Sequence, residues 1–143
     1  NETNLDQLSE KCDAFFGRPK KILKLDIEGY EWEALSEVVS FDKFTQIVLE
    51  LHYLDRLNNL EFRKVMLDVI RKISDSHVSI FLKGNNCCGF VNLGGVSMPR
   101  VLEITFVNKR HFSLSQGSLN FPENFLIPNY RNFPNLNLGT FRN

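Results

Sequence analysis

The chain has 143 residues, of which 43% are hydrophobic and 24% charged. That is enough for one domain with a buried core. Seventeen Lys and Arg balance seventeen Asp and Glu, so no net field favours nucleic acid or an anionic membrane as a partner, and no run approaches the ~20 apolar residues of a membrane span.

The polar start, Asn1 to Asp6, does not have the make-up of a secretory signal. Leu5, Leu8 and Cys12 recur at helical spacing, so a short helix is expected within residues 1–19, stopped at Gly17-Arg18-Pro19. Residues 20–27 follow, with Ile22, Leu23, Leu25 and Ile27 marking a buried strand. Gly29 breaks it. A helix is expected over Tyr30 to Val39, with Trp32, Leu35 and Val39 on one face. Gln46 to His52 reads as a second strand. Leu60 to Ser74 reads as a longer helix whose Phe62, Val65, Met66, Val69, Ile70 and Ile73 form a core-facing stripe. Val78 to Leu82 reads as a third strand, Gly84 to Gly95 as a polar loop, and Val101 to Val107 as a fourth strand. Residues 111–143 have no clear period. They are expected to form an extended tail, packed on the domain or partly disordered, with Phe121, Phe125, Phe133 and Phe141 pinning it to apolar patches. Cys12, Cys87 and Cys88 do not make a disulfide framework or a zinc spacing, and they leave the compartment open.

Strands joined by helical crossovers favour parallel pairing. The last strand follows a loop instead of a helix, so antiparallel pairing is open to it. The expected class is α/β over residues 1–110, with three parallel strands, one antiparallel strand and helices on the faces. Ligands in open α/β sheets bind beyond the carboxyl ends of the strands. Asp26 and Glu28 end the first strand, Glu50 and His52 end the second, and Asn85 and Asn86 lie just past the third. Asp26 and Glu28 point the same way if the strand runs that far. Two close carboxylates suit general acid–base work or a shared hard cation. A bland alternative has Glu28 capping the next helix. Asn85-Asn86 beside Gly84 also fits plain turn chemistry.

The segment Leu23-Lys24-Leu25-Asp26-Ile27-Glu28-Gly29-Tyr30-Glu31-Trp32-Glu33-Ala34-Leu35 resembles the signature of the FkbM-type methyltransferase family, in which a strand ending in Lys-x-Asp-x-Glu-Gly-x-Glu leads into a helix. Asn4 to Leu8 resembles the short segment before that motif, and Ile47 to His52 resembles the family's next strand. Asn85-Asn86-Cys87 and Pro99 to Glu103 resemble later motifs. The resemblance implies S-adenosylmethionine-dependent O-methyl transfer to a hydroxyl acceptor, a small molecule or a glycan. The fold it implies is a Rossmann-like sheet of which these are the fourth to seventh strands, the last inserted antiparallel. On that likeness Asp26 or His52 takes the acceptor's proton, while Glu28, Glu50, Asn85 and Asn86 orient the acceptor. The cofactor lies mainly on the first three strands of such a sheet, around a glycine-rich turn. The sequence has no such turn, so this is expected to be the C-terminal half of the domain, with no cofactor-binding residue and no metal ligand assigned. The resemblance also implies a histidine shortly before the asparagine pair, where Lys83 stands.

Two other readings compete. One is a non-catalytic interaction module derived from the same fold, in which an unpaired sheet edge invites a second copy. The other is a glycoside hydrolase, since Asp-x-Glu also ends strands in sugar-cleaving barrels, but 143 residues are too few for an eightfold barrel.

Overall fold

The computed structural model describes residues 4–17, 20–113, 127–134 and 138. The elements in chain order are α1 (Leu5–Phe16), β1 (Ile22–Leu25), α2 (Glu31–Ser36), β2 (Gln46–Leu51), a 3₁₀ turn (Leu54–Asn58), α3 (Leu60–Ser76), β3 (His77–Gly84), β4 (Phe90–Leu93), β5 (Val96–Pro99) and β6 (Leu102–Asn108). Side chains fix the helix starts. Asn4 accepts from the Gln7 amide at α1, and Asn59 accepts from the Phe62 amide at α3, each satisfying a donor the first turn leaves unpaired.

The main sheet has the order β1-β2-β6-β3. β1 and β2 pair in parallel, and β6 pairs antiparallel with both β2 and β3. β1, β2 and β3 therefore run the same way, with the last strand inserted between the second and third. The protein is an α/β chain on a mixed sheet. Among the described residues β1 pairs only with β2, and Ile22 on it is 64% exposed.

Alternation along the strands sends one set of side chains to the core. Leu23 and Leu25, Ile47, Leu49 and Leu51, and Ile104 and Phe106 are all buried there. Trp32 and Leu35 of α2 and Val69 and Ile73 of α3 pack against them. Burying a side chain of this size stabilises by about 1.5–3 kcal/mol, and this cluster is the main source of stability. The two core helices thus share one face of the sheet. The opposite face presents Lys24, Val48, Thr105 and Phe81, which share a register row.

Several expectations change. α2 ends at Ser36, so the chain after it buries Val38 and leaves Val39 84% exposed. In α1, Leu5 reaches the core, but Leu8 and Cys12 are exposed and Ser9 is the buried residue. Lys21 explains that burial, since its ammonium donates to Ser9 Oγ and to Asp13. Val65 lies off the α3 core stripe, 40% exposed. The segment read as a loop, Gly84 to Gly95, contains β4 and runs into the hairpin partner β5. Gly94 and Gly95 have φ of 59° and 86°, the left-handed pair a tight two-residue hairpin turn requires. In the tail, Phe133 is 53% exposed and meets the Tyr130 ring edge-on, short of the burial expected of a pin. Phe121, Phe125 and Phe141 lie outside the described residues.

His77, at the start of β3, is a core histidine. Its Nε2 donates to the Phe44 carbonyl at 3.0 Å and its Nδ1 meets Ser76 Oγ at 2.8 Å. Burial holds its pKa below the usual value of 6.5, against the pull of the Phe44 carbonyl. The unfolded chain thus binds the proton first as pH falls, so His77's contribution is complete above about pH 6.5 and is lost below it. The urea midpoint should drop between about pH 7.5 and about pH 5.5, and His77→Gln should flatten that drop. An equally steep drop in the variant would contradict this placement.

Candidate functional site

The parallel pairing of β1 and β2 sets their carboxyl ends side by side. β1 ends at Leu25, earlier than its hydrophobic pattern suggests. Asp26 therefore leaves the sheet, and Glu28 sits in a turn with φ of 56°, so strand alternation does not align them. The turn brings them together instead. Ligand atoms of Asp26, Glu28 and His52 all lie within 4.8 Å of one another.

His52 is the centre of this group. Its Nε2 is 3.5 Å from Glu28 Oε2 and 4.0 Å from Glu50 Oε1. Its Nδ1 is 3.1 Å from Glu31 Oε1. The Glu31 side chain is 0% exposed. It also accepts the amide of Ile27 at 2.9 Å and the amide of Gly29 at 3.1 Å. The helix-capping role considered for Glu28 is not seen, since the N-cap residue of α2 is Tyr30, with no side-chain cap; Glu31, the first residue of α2, reaches back to the turn before it. Glu28 projects into solvent, 88% exposed. Trp32 serves the same corner, since its indole N–H donates to the His52 carbonyl at 2.8 Å.

Glu31 was missed as a site residue because a glutamate in a helix's first turn is ordinary on a surface. A usable signal existed. Glu31 is followed by Trp32, and both precede the apolar Leu35, so the first turn of α2 has to lie close to the core.

Glu50 extends the group on the β2 side. Asn85 Nδ2 donates to its Oε1 at 2.8 Å, and the Asn85 side-chain Oδ1 accepts the Cys87 amide. Burial raises the Glu50 pKa, the Asp26 charge raises it further, and the Asn85 hydrogen bond pulls it back. Asn86 faces elsewhere. Its amide donates to the carbonyls of Tyr130 and Phe133, and its oxygen accepts the Tyr130 amide. It is a clamp for residues 127–134. Lys83, where the family likeness implied a histidine, does the same through the Ile127 carbonyl and Asn129. The structure thus brings Asp26, Glu28, Glu50, His52 and Asn85 together and turns Asn86 to the tail. Cys87 is free, and burial with its Cys88 neighbour pushes its thiol up to about 12, so it stays protonated.

A cleft of about 150 Å³ adjoins the group on the face opposite the helices, lined among others by Lys24, Asp26, Glu50, Phe81, Glu103 and Thr105. A larger one of about 460 Å³, beside Leu5, Ile27 and Tyr30, contains none of the five convergent residues. Compared with protein-family models, with curated proteins and with solved structures, the chain finds no match.

Gly29 holds the turn in place. Its φ is 107°, and a Cβ built there lies 2.1 Å from the Tyr53 ring. Tyr53, with φ of 63°, lies under the Arg56 guanidinium at 4.1 Å. Gly29→Ala combines a left-handed penalty with a clash, so it should cost about 2–4 kcal/mol in urea unfolding. Adding Tyr53→Ala should return the clash portion. An alanine variant within about 0.5 kcal/mol of the parent would refute the packing of Gly29 on Tyr53.

Proposed function

We propose that this chain supplies the acceptor side of an S-adenosylmethionine-dependent methyltransferase domain that transfers a methyl group to a hydroxyl oxygen. The observation that carries the reading is the strand order β1-β2-β6-β3 with β6 antiparallel. It is the order the resemblance of residues 23–35 implies for the fourth to seventh strands of a Rossmann-like sheet. Of the polar residues named from that resemblance, Asp26, Glu28, Glu50 and His52 stand at the carboxyl ends of β1 and β2, where open α/β sheets bind ligands, and Asn85 reaches them from beyond β3.

Among the described residues five glycines are left-handed: Gly17 caps the end of α1, Gly29 is covered by Tyr53, Gly89 precedes β4, and Gly94 and Gly95 make a hairpin turn. The sequence has no glycine-rich run such as GxGxxG after an early strand to admit a close backbone approach. The reading therefore assigns cofactor binding to residues outside this chain. This chain's own residues hold and deprotonate the acceptor. A hydroxyl at the Asp26–His52 pair has a proton acceptor within reach, and the Glu31 carboxylate fixes the imidazole so that Nε2 faces it. Glu50, held by Asn85, and the exposed Glu28 line the sides and accept the acceptor's other hydroxyl protons. Base catalysis of this kind contributes roughly 10²–10⁴-fold when the groups are within hydrogen-bond reach.

Calorimetric titration with S-adenosylmethionine tests the assignment. The 143-residue chain should give no binding heat, and the chain extended by its native N-terminal sequence should bind one equivalent. No binding by the extended chain would refute the methyltransferase reading.

A further inference from the structure

The Asp26, Glu28 and His52 group has a property that proton transfer does not use. Four carboxylates, those of Asp26, Glu28, Glu31 and Glu50, surround one imidazole. Among the described residues no lysine or arginine forms an ion pair with any of them. Two features go beyond an acidic patch. The first is that one donor is an imidazole nitrogen whose side chain is only 13% exposed. The second is the partner of that imidazole. Its Nδ1 is held by a wholly buried carboxylate, so Nε2 is aimed at Glu28 and Glu50 with no hydrogen-bond partner of its own among the described residues. A histidine that ligates a metal has this arrangement, with the far nitrogen donating to an outer carboxylate that fixes its tautomer and angle.

We propose that Asp26, Glu28 and His52 Nε2 bind a divalent first-row transition cation. One imidazole and two carboxylates suit Mn²⁺ or Zn²⁺ better than the all-oxygen cations. Ligand bonds of about 2.0–2.2 Å leave neighbouring donors about 3 Å apart and opposite ones about 4.2 Å apart. The donors here span up to 4.8 Å, and the Nε2–Glu28 separation is 3.5 Å. Contraction of about 0.6 Å for an opposite pair, or up to about 1.8 Å for a neighbouring one, closes the site, and Glu28, 88% exposed and, among the described residues, unpaired with any lysine or arginine, is the side chain free to move. Three protein ligands leave open positions for water or an acceptor hydroxyl. The ion would lower the pKa of that hydroxyl as it lowers that of bound water, and Glu50, whose Oε1 lies 4.0 Å from Nε2, would take the proton in place of the Asp26–His52 pair. Cation binding itself does not depend on the methyltransferase reading.

The test uses the full chain, stripped with chelator and titrated with Mn²⁺ alone, without S-adenosylmethionine, so that either proposal can fail without the other. One equivalent should bind. Paramagnetic broadening should reach the His52 imidazole before those of His77 and His111. Glu28→Gln, at an exposed position that the fold does not need, should weaken binding at least about tenfold. Asp26→Asn should do the same, while Glu37→Gln on the surface of the chain after α2 should leave binding unchanged. Zn²⁺ should compete with Mn²⁺ for the same equivalent. No binding of either cation by the folded chain up to about 1 mM, or binding that Glu28→Gln and Asp26→Asn leave unaltered, would overturn the proposal.

Discussion

A carboxylate with no solvent exposure stands where the chain turns out of β1 into α2, and the site depends on it. Removing a carboxylate from water costs several kcal/mol unless donors replace the water. Glu31 has three such donors from two parts of the chain, the amides of Ile27 and Gly29 and the imidazole of His52. The first two shape the turn that carries Asp26 and Glu28. The third ties that turn to the end of β2. One side chain thus couples the backbone of one strand end to the orientation of the histidine at the next.

Topology makes this coupling possible. Parallel pairing of β1 with β2 puts the two carboxyl ends within side-chain reach, and an antiparallel pair would have separated them by a strand length. Inserting β6 between β2 and β3 sets the third strand end one position further away. Asn85 still reaches Glu50 from there, but Asn86 and Lys83 work on residues 127–134. The convergent group is accordingly built from two strands, with the third contributing one amide.

The sheet and its long helix were legible in the sequence because burial imposes a period. Leu23 and Leu25, Ile47 to Leu51, and Phe62 to Ile73 are patterned by the face they bury, and the structure follows that pattern. Places where hydrogen bonding outweighs period were less legible. Val39 looks like a helix-face residue, but α2 ends before it. Ser9 looks polar and is buried because Lys21 reaches it. The β4–β5 hairpin was masked by a polar-looking segment, although Gly94-Gly95 between Phe90-Val91-Asn92-Leu93 and Val96-Ser97-Met98 carries a hairpin signal. In the site, Asp26, Glu28, Glu50, His52 and Asn85 could be named from strand ends alone. Glu31 could not, because its role comes from a turn that no residue pattern specifies.

Hydrogen exchange at two amides tests this account most directly. Ile27 and Gly29 lie outside the sheet ladder, so their protection depends on the Glu31 carboxylate. In the parent chain both should exchange slowly. In Glu31→Ala both should exchange at least about tenfold faster, a loss of about 1.4 kcal/mol of local protection, while the amides of β2 and β6 in the core keep their rates. Unchanged exchange at Ile27 and Gly29 in that variant would contradict the claim that this carboxylate organises the site.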